Sequence, residues 1–402
     1  MADFGGSDLD TFRGEARDWL EANYPQSLRE DPEAGTRMIM SGVKPTGDLL
    51  VWKQRMAEKG WGTPTWPNKY GAGGLTGAEA RVLGQEMDRI GAYNPMIGMG
   101  LSMFGPTLLE YGTEEQKQRH IPPIVKGELR WCQGYSEPGA GSDLASLMTK
   151  CEDAGDHWKI NGSKIWTSGA QYADWCFCLV RTDTTKKHEG ISFVLINMDQ
   201  KGVETRPIKL IAGSSPFCET FFTDARAEKD DMLGPLNGGW TVGKRLLQHE
   251  RSGQGGSRMA GGGGVSIPDL AKRYVGVDSK GRLADSDLRT RISQHQINAK
   301  AHALTVLRAM DEAKGNSNPS ATTSVMKNSG TWIGQTRSEL MLEIMGHQGL
   351  GWTGEAFDKE EIETVRAWLS GKATTIFGGS QEVQSNIVSK RILGLPDTTQ
   401  SS

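Results

Sequence analysis

The sequence predicts an α+β protein read in three successive regions. Helices occupy 1–128, a small, mostly antiparallel β region 129–234, and helices again 235–402. Three observations predict it. Apolar residues recur at three- and four-residue intervals at both ends of the chain. Between them lie short runs rich in Val, Ile, Phe and Trp, bounded by turn residues. No repeat or low-complexity linker breaks this order, and 402 residues are ample for a buried core.

The first region opens with Leu9, Phe12, Ala16, Trp19 and Leu20 at helical spacing, and Val51 to Trp61 repeats the pattern. The loop TPTWPNKYGAGGLTGAEA ends in a helix start signal at Thr76. In GTEEQKQRHIPPIVKGEL, Thr113 and Gln116 form a capping box, and Pro122-Pro123 is expected to interrupt the helix. From about 129 the texture changes. HWKINGSKIW reads as two short strands joined at Asn161-Gly162, a strong hairpin signal. YADWCFCLVRT is apolar on both alternating faces and reads as a central strand. GISFVLINM, VETRPIKL and CETFFTDARA follow as further strands.

Beyond 235, WTVGKRLLQHER is helical, with Val242, Leu246 and Leu247 on one face. GQGGSRMAGGGG is a poor helix, since each Gly costs about 1 kcal/mol relative to Ala. Long helices are expected over 284–312, 321–346 and 359–377. In the last, Ile362, Val365, Leu369, Ala373 and Ile376 make one apolar stripe. It stops at Gly378-Gly379, and a polar helix restarts at Ser380.

Lys and Arg number 46 against 49 Asp and Glu, and the pI is about 6.2. That balance offers no electrostatic footprint for nucleic acid or an anionic membrane. Mean hydropathy is -0.49, and no apolar run approaches the roughly 18 residues of a spanning helix. The acidic start MADFGGSDLDTF carries no signal-peptide or transit-peptide pattern. Cys132, Cys151, Cys176, Cys178 and Cys218 lack metal or redox spacing. They read as small hydrophobes in a reduced, cytoplasmic protein. The seven His show no ligand spacing, so no metal is expected. Glycine is the outlier: the 52 residues are about 13% of the chain against a usual ~7%.

The densest chemical signal is YSEPGAGSDLASL, Tyr135 to Leu147. Pro138 to Ser142 are small or turn-forming, which leaves backbone N–H groups free beside the hydroxyls of Ser136 and Ser142. Such a loop suits an oxygen-rich planar or anionic ligand. Further on, KIWTSGAQYADW sets an indole and two hydroxyls, at Trp166, Thr167 and Ser168, where a flat heteroaromatic ring could be stacked and hydrogen-bonded. Taken singly, these are as readily a surface loop and a core Trp with a Ser/Thr turn.

The order and spacing of SEPGAGSD, NGSKIWTSGAQYADW and GGSQEVQSNIVSKRILGLP resemble the acyl-CoA dehydrogenase family, from the N-terminal helices to Pro396. The resemblance implies an N-terminal helical domain, a middle antiparallel β domain and a C-terminal four-helix bundle. It implies FAD held between domains, an acyl-CoA substrate and an electron-transfer flavoprotein as acceptor. It also implies a homodimer or homotetramer whose neighbour completes the cofactor site. By that resemblance, Gln133, Tyr135 and Ser136 would lie along the isoalloxazine edge, and Gly141 and Ser142 would flank flavin and substrate. Trp166, Thr167 and Ser168 would cover the ring, with the Ser168 hydroxyl near N5. Ser380 and Glu382 match positions that contact the ADP half, where a helix start offers unpaired N–H groups.

The implied reaction removes an α proton and a β hydride from an acyl thioester, forming a trans-2-enoyl-CoA. The proton needs a base in a dry pocket, and the thioester oxygen needs hydrogen bonds. In many family members the base is a Glu in a Tyr-Glu-Gly-Thr turn; that position is Gly378 here. Other members carry it on a different helix, at a position matching Glu250, followed by an arginine as Arg251 follows here. Leu246, Leu247 and Glu250 lie within one turn, so Glu250 shares a face with core residues. Glu250 is therefore the expected base, with Arg251 and Ser142 on the substrate side and Gly378 offering its backbone N–H to the thioester oxygen. Competing readings are a solvated Glu250 paired with Arg251 or His249, His249 as base, or no base at all.

Two departures bear on assembly. The family's Arg-x-x-Phe-Gly stretch is replaced by GRLADSDLRTRISQHQ, where Arg289 and Arg291 are the candidate substitutes. A family Gln stands as Glu343 in LEIMGHQGLG. Two alternatives follow: a desulfinase-like or oxidase-like flavoprotein, or one subunit of a heteromeric acyl-CoA dehydrogenase. GQGGSRMAGGGG follows no strand and lacks the P-loop lysine, so it is no phosphate cradle. Gly255 and Gly256 are instead expected to make room for a bulky or branched acyl group.

Overall fold

The computed structural model describes residues 6–30, 44–254, 266–313 and 322–396. They form two compact units, Met1–Ile208 with Ser215–Glu250, and Lys209–Ser214 with Arg251–Ser402.

The first unit begins with helices α1 (Gly6–Asn23), α2 (Gln26–Glu30), α3 (Gly47–Glu58), α4 (Gly77–Arg89), α5 (Gly105–Tyr111) and α6 (Glu114–Val125). Ala16, Leu20, Trp52, Met56, Leu83 and Met87 fill the core between α1, α3 and α4, as the helical spacing requires. Glu86 on α4 is buried and receives Arg13 at 3.0 Å, Arg17 at 3.0 Å and Arg89 at 2.8 Å, which ties α1 to α4. Capping boxes start α4 at Thr76 with Glu79, and α6 at Thr113 with Gln116. Pro122 and Pro123 do not interrupt α6. They lie in its last turn, where Ile121, Ile124 and Val125 are buried, and their carbonyls accept from Lys126 and Glu128.

Seven strands follow: β1 (Trp131–Gly134), β2 (Lys150–Asp153), β3 (His157–Ser168), β4 (Trp175–Arg181), β5 (Ile191–Asn197), β6 (Val203–Ile208) and β7 (Phe217–Glu228). The sheet runs β1-β4-β2-β3-β7-β6, with β5 on the other side of β4. β4 is the central strand expected, buried from Cys176 to Arg181. The sheet is mixed rather than wholly antiparallel, because β1 and β2 run parallel to β4. HWKINGSKIW is not a hairpin. It lies within one long strand, β3, that bulges at Asn161-Gly162. Gly162 has φ +149, and a Cβ there would come within 2.7 Å of Thr149 Cα. Asn161 meanwhile exchanges bonds of 2.9 and 2.8 Å with Asp224 on β7. The Asn-Gly pair thus serves a bulge and a close approach, not a turn.

Helix α7 (Gly239–Gln254) starts against the sheet. A Cβ on Gly239 would sit 2.2 Å from the Ser192 carbonyl carbon, so only glycine lets the helix begin there. Val242 and Leu246 are buried in one core with Tyr135, Phe177, Leu179 and Phe193.

The second unit holds α8 (Ile267–Tyr274), α9 (Ser286–Ala313), α10 (Thr322–Met345), α11 (Lys359–Gly371) and α12 (Gln381–Ile387). α10 packs against the other four, and shares with α8 and α9 a core of Ile267, Leu270, Leu288, Ile292, Leu340 and Ile344. α11 stops six residues short of the expected end. Gln335 Nε2 donates to the Gly371 and Lys372 carbonyls, and a 3-10 turn covers Lys372–Thr375. Ala373 and Ile376 therefore leave the apolar stripe, and Ile376 is exposed. Among the described residues, no helix is long and apolar enough to cross a membrane.

Candidate active site

Two neighbouring segments of the first unit carry the predicted ligand residues. Glu137 and Ala140 exchange both backbone hydrogen bonds at 3.0 Å, folding Pro138-Gly139 into a tight turn. Gly141 and Ser142 are exposed beyond it, while Gln133 and Ser136 are half-buried. A Cβ on Gly139 or Gly141 would meet nothing within 4 Å, so the outer face of this turn is open. Tyr135 is turned the other way. Its ring stands edge-on to Phe177 and Phe193 in the core.

The end of β3 lies against the same segment, joined by the Ile165 N–H donating to the Ser136 carbonyl at 2.8 Å. Register with β7 shifts between Lys164 and Thr167, and within that bulge Trp166 has φ +61. A non-glycine residue in this region costs roughly 1–2 kcal/mol. The surrounding strand pairs hold it there, and the indole is 52% exposed, edge-on to Phe217. Of the two expected hydroxyls, one is already engaged. Thr167 is buried, donates to the Cys218 carbonyl at 3.1 Å and accepts from Thr220 Oγ1 at 2.9 Å. Ser168, half-buried, keeps its side chain on the other face of the strand.

The structure adds residues beneath these segments. Lys164 is wholly buried and pairs at 2.7 Å with buried Glu137. Burial pushes the Glu137 carboxyl up, yet Lys164 and hydrogen bonds from Thr149 and Met148 outweigh it and hold the group below the usual carboxylate range. Arg181, also buried, donates to the carbonyls of Ala145, Leu147, Lys186 and Lys187. One sequence signal marks Lys164. It is a charge on the same inward face of β3 as Trp158 and Ile160.

On α7, Glu250 and Arg251 lie in the helical backbone, their side chains outside the described residues; Gly255 and Gly256 lie outside them altogether. The turn before Glu250 is anchored to α5. Arg245 donates twice to Glu110 at 2.8 Å, and His249 Nε2 lies 3.2 Å from the same carboxylate. Burial, then the Arg245 cation, push the His249 pKa down.

In the second unit, Gly378 and Gly379 have φ +65 and +92, the left-handed conformations of a turn. Ser380 caps α12, accepting from the Val383 N–H at 3.3 Å. The Glu382 carboxyl is held below its ordinary range by its own N–H and by Ser380. Arg291 pairs with Glu343 and with Asp287, and Arg289 donates to the Leu283 carbonyl. The open turn face, the outward indole and the Ser168 hydroxyl fit a flat, oxygen-rich group such as a flavin.

Three acyl-CoA dehydrogenase family models match the chain: the N-terminal domain over residues 7–128, the middle domain over 132–225 and the C-terminal domain over 237–393. The acyl-CoA dehydrogenase IpdE1 of Mycobacterium tuberculosis is 35% identical over 405 residues, covering 97% of this chain and 98% of that protein. The solved Tcur3481-Tcur3483 steroid ACAD superposes with a TM-score of 0.76 at 30% identity, covering 98% of each chain. The ChsE4-ChsE5 complex from M. tuberculosis follows with 0.72 at 27%, covering 97% of this chain and 98% of that one. Sequence and fold agree along nearly the whole length, and the chain belongs to the acyl-CoA dehydrogenase family, whose members typically use FAD.

Proposed function

We propose that this acyl-CoA dehydrogenase binds FAD, uses Glu250 as its base and acts on bulky, polycyclic acyl thioesters. Bound FAD supplies the acceptor for the β hydride. Gln133, Ser136, Gly141, Ser142, Trp166 and Ser168 would hold its ring, joined by Tyr135 and Thr167 through their backbones, with Ser380 and Glu382 at the ADP half. Glu250 takes the α proton, and the Gly378 N–H steadies the charge that develops on the thioester oxygen. Ser142 and Arg251 face the acyl-CoA, and electrons leave to an electron-transfer flavoprotein.

The observation that carries the base assignment lies in the sequence: glycine, Gly378, stands at one of the family's two base positions and glutamate, Glu250, at the other. Leu246, one turn before Glu250, is wholly buried, which directs that helix face inward. The 30% likeness to a steroid ACAD supports the substrate class. Functional domains at 1–128, 129–234 and 235–402 follow the change of texture in the sequence. Five buried free thiols suit a reduced compartment, the cytoplasm.

A homodimer or homotetramer is the simplest assembly, but one observation favours a heteromer. Of the two candidate neighbour-side arginines, Arg291 is committed to Glu343 and Asp287 within its own chain, and Arg289 donates to the Leu283 carbonyl. A partner would then supply that cofactor contact, and the Tcur3481-Tcur3483 and ChsE4-ChsE5 relatives each pair two chains by name. Purification of the chain alone decides this: stoichiometric FAD and turnover without a partner remove the heteromer.

The function is tested by anaerobic addition of acyl-CoAs to the flavin-loaded protein. Steroid side-chain thioesters are expected to bleach the flavin, and straight C8 and C16 thioesters to do so far more slowly. Bleaching by straight chains alone removes the substrate class. Absence of bleaching by any thioester removes the dehydrogenase reading and favours a desulfinase-like reaction, while rapid reoxidation by oxygen marks an oxidase.

A further inference from the structure

We infer that Lys164 and Glu137 are a buried positioning pair that holds the 136–142 turn and the end of β3, Trp166 to Ser168, together as one cofactor platform. The inference rests on the FAD reading above, but concerns residues that reading does not use.

Three parts of the chain meet at this pair. The Lys164 ammonium donates to the Tyr135 carbonyl at 3.2 Å, where the chain enters the turn. It donates to Glu137 Oε1 at 2.7 Å, at the base of the turn. The Glu137 carboxylate in turn accepts the Met148 N–H at 2.7 Å and the Thr149 N–H at 2.9 Å, where the chain leaves the loop. Entry, base and exit are thereby fixed to one side chain of β3. That side chain sits at the last regular pair before the bulge, Lys164 opposite Thr220, and the Ile165 to Ser136 bond lies immediately beside it. A displacement of the turn would therefore be passed to the strand that displays Trp166.

Stability alone gives no reason for a charge pair here. Well-packed hydrophobic residues in place of a buried ion pair are often as stable or more so. What the pair offers is direction. The ammonium engages two acceptors, and the carboxylate three donors, from points far apart in the chain. Met and Leu would fill the volume without fixing the turn against the bulge.

The test uses the full-length protein and its FAD dissociation constant, read from quenching of flavin fluorescence, with the visible absorption band of the bound flavin as a second readout. The neutral pair Lys164→Met with Glu137→Gln removes the ties that Lys164 makes without stranding a buried charge. It is expected to fold, to bind FAD at least tenfold more weakly and to shift the flavin band. Glu137→Asp keeps the charge and shortens its reach, and should weaken FAD several-fold even if the neutral pair proves too unstable to purify. Arg13→Ala, which disturbs the distant Glu86 cluster, should lower stability and leave FAD affinity unchanged. Wild-type affinity and spectrum in either platform variant would overturn the inference. Failure of the wild-type protein itself to bind FAD would instead overturn the function proposed above.

Discussion

Lys164 carries a charge where the strand pattern calls for a hydrophobe. That much is legible in the sequence, because Trp158 and Ile160 set the inward face of β3. Its partner is not, since Glu137 lies 27 residues away and only the fold brings them to 2.7 Å. Lys164→Met alone leaves the carboxylate buried and unpaired, and is expected to cost about 3–5 kcal/mol in denaturant unfolding. The hydroxyls of Thr167 and Ser168 show the same limit. Alternation puts them on opposite faces, but only the neighbouring Thr220 and Cys218 reveal which face is already satisfied. Gly239 is a third case. Its missing Cβ admits the Ser192 backbone, so Gly239→Ala should destabilise the protein by roughly 1–3 kcal/mol or more. A thermal shift within error would show that the start of α7 has slack.

Elements with their own local chemistry were legible as elements. The capping boxes at Thr76 and Thr113 start helices where the residue types demand it. The apolar run of β4 is buried from Cys176 onward because a core packs on each face, Phe177 and Leu179 in one and Cys176, Cys178 and Val180 in the other. Two misreadings share a cause: a local signal was overruled by tertiary contact. Asn161-Gly162 favours a hairpin in isolation, yet β7 pairs with β3 on both sides of the dipeptide and β2 pairs with Trp158 to Asn161, which makes it a bulge. Pro122-Pro123 disfavours helix, yet the burial of Ile121, Ile124 and Val125 carries α6 through the last turn. Gly162→Ala forces a side chain onto φ +149 and against Thr149. It should cost at least about 1 kcal/mol in urea unfolding. Were the dipeptide an exposed turn instead, a milder loss would be measured, with no change in the exchange of strand amides.

At the scale of the molecule, the order of helices, sheet and helices follows from two periodicities, 3.6 and 2, and from nothing finer. Strand order and the parallel pairings of β4 depend on contacts across tens of residues, which no window of sequence contains. The first unit also stores a pH response. Burial, then the Arg119 cation, push the His120 pKa from 6.5 down to about 4, and the neutral Nε2 accepts from Arg119 at 3.1 Å. The hydrogen bond from Arg17 leads the contacts that draw Glu86 down to about 2, against burial. Both values are depressed on folding, so each of these two groups binds protons more readily in the unfolded chain and lowers stability as the pH falls. The His120 contribution is complete above 6.5 and lost between there and about 4, amounting to about 3 kcal/mol. The Glu86 contribution is lost below about 4.5. Buried Asp231, bound to the same Arg119, works the other way, since burial raises its pKa to about 6 and its protonation favours the fold in acid. His120→Gln is therefore expected to raise the unfolding midpoint at pH 4 relative to that at pH 7, compared with the wild type.

The central claim is that the proton missing an acceptor at Gly378 goes to Glu250. It is tested most directly by stopped-flow reduction of the flavin in Glu250→Gln under anaerobic conditions, with a thioester that bleaches the wild-type protein. The account predicts that the variant keeps its FAD and its acyl-CoA affinity while the bleaching rate falls by about 100- to 10,000-fold. Bleaching at the wild-type rate would contradict it.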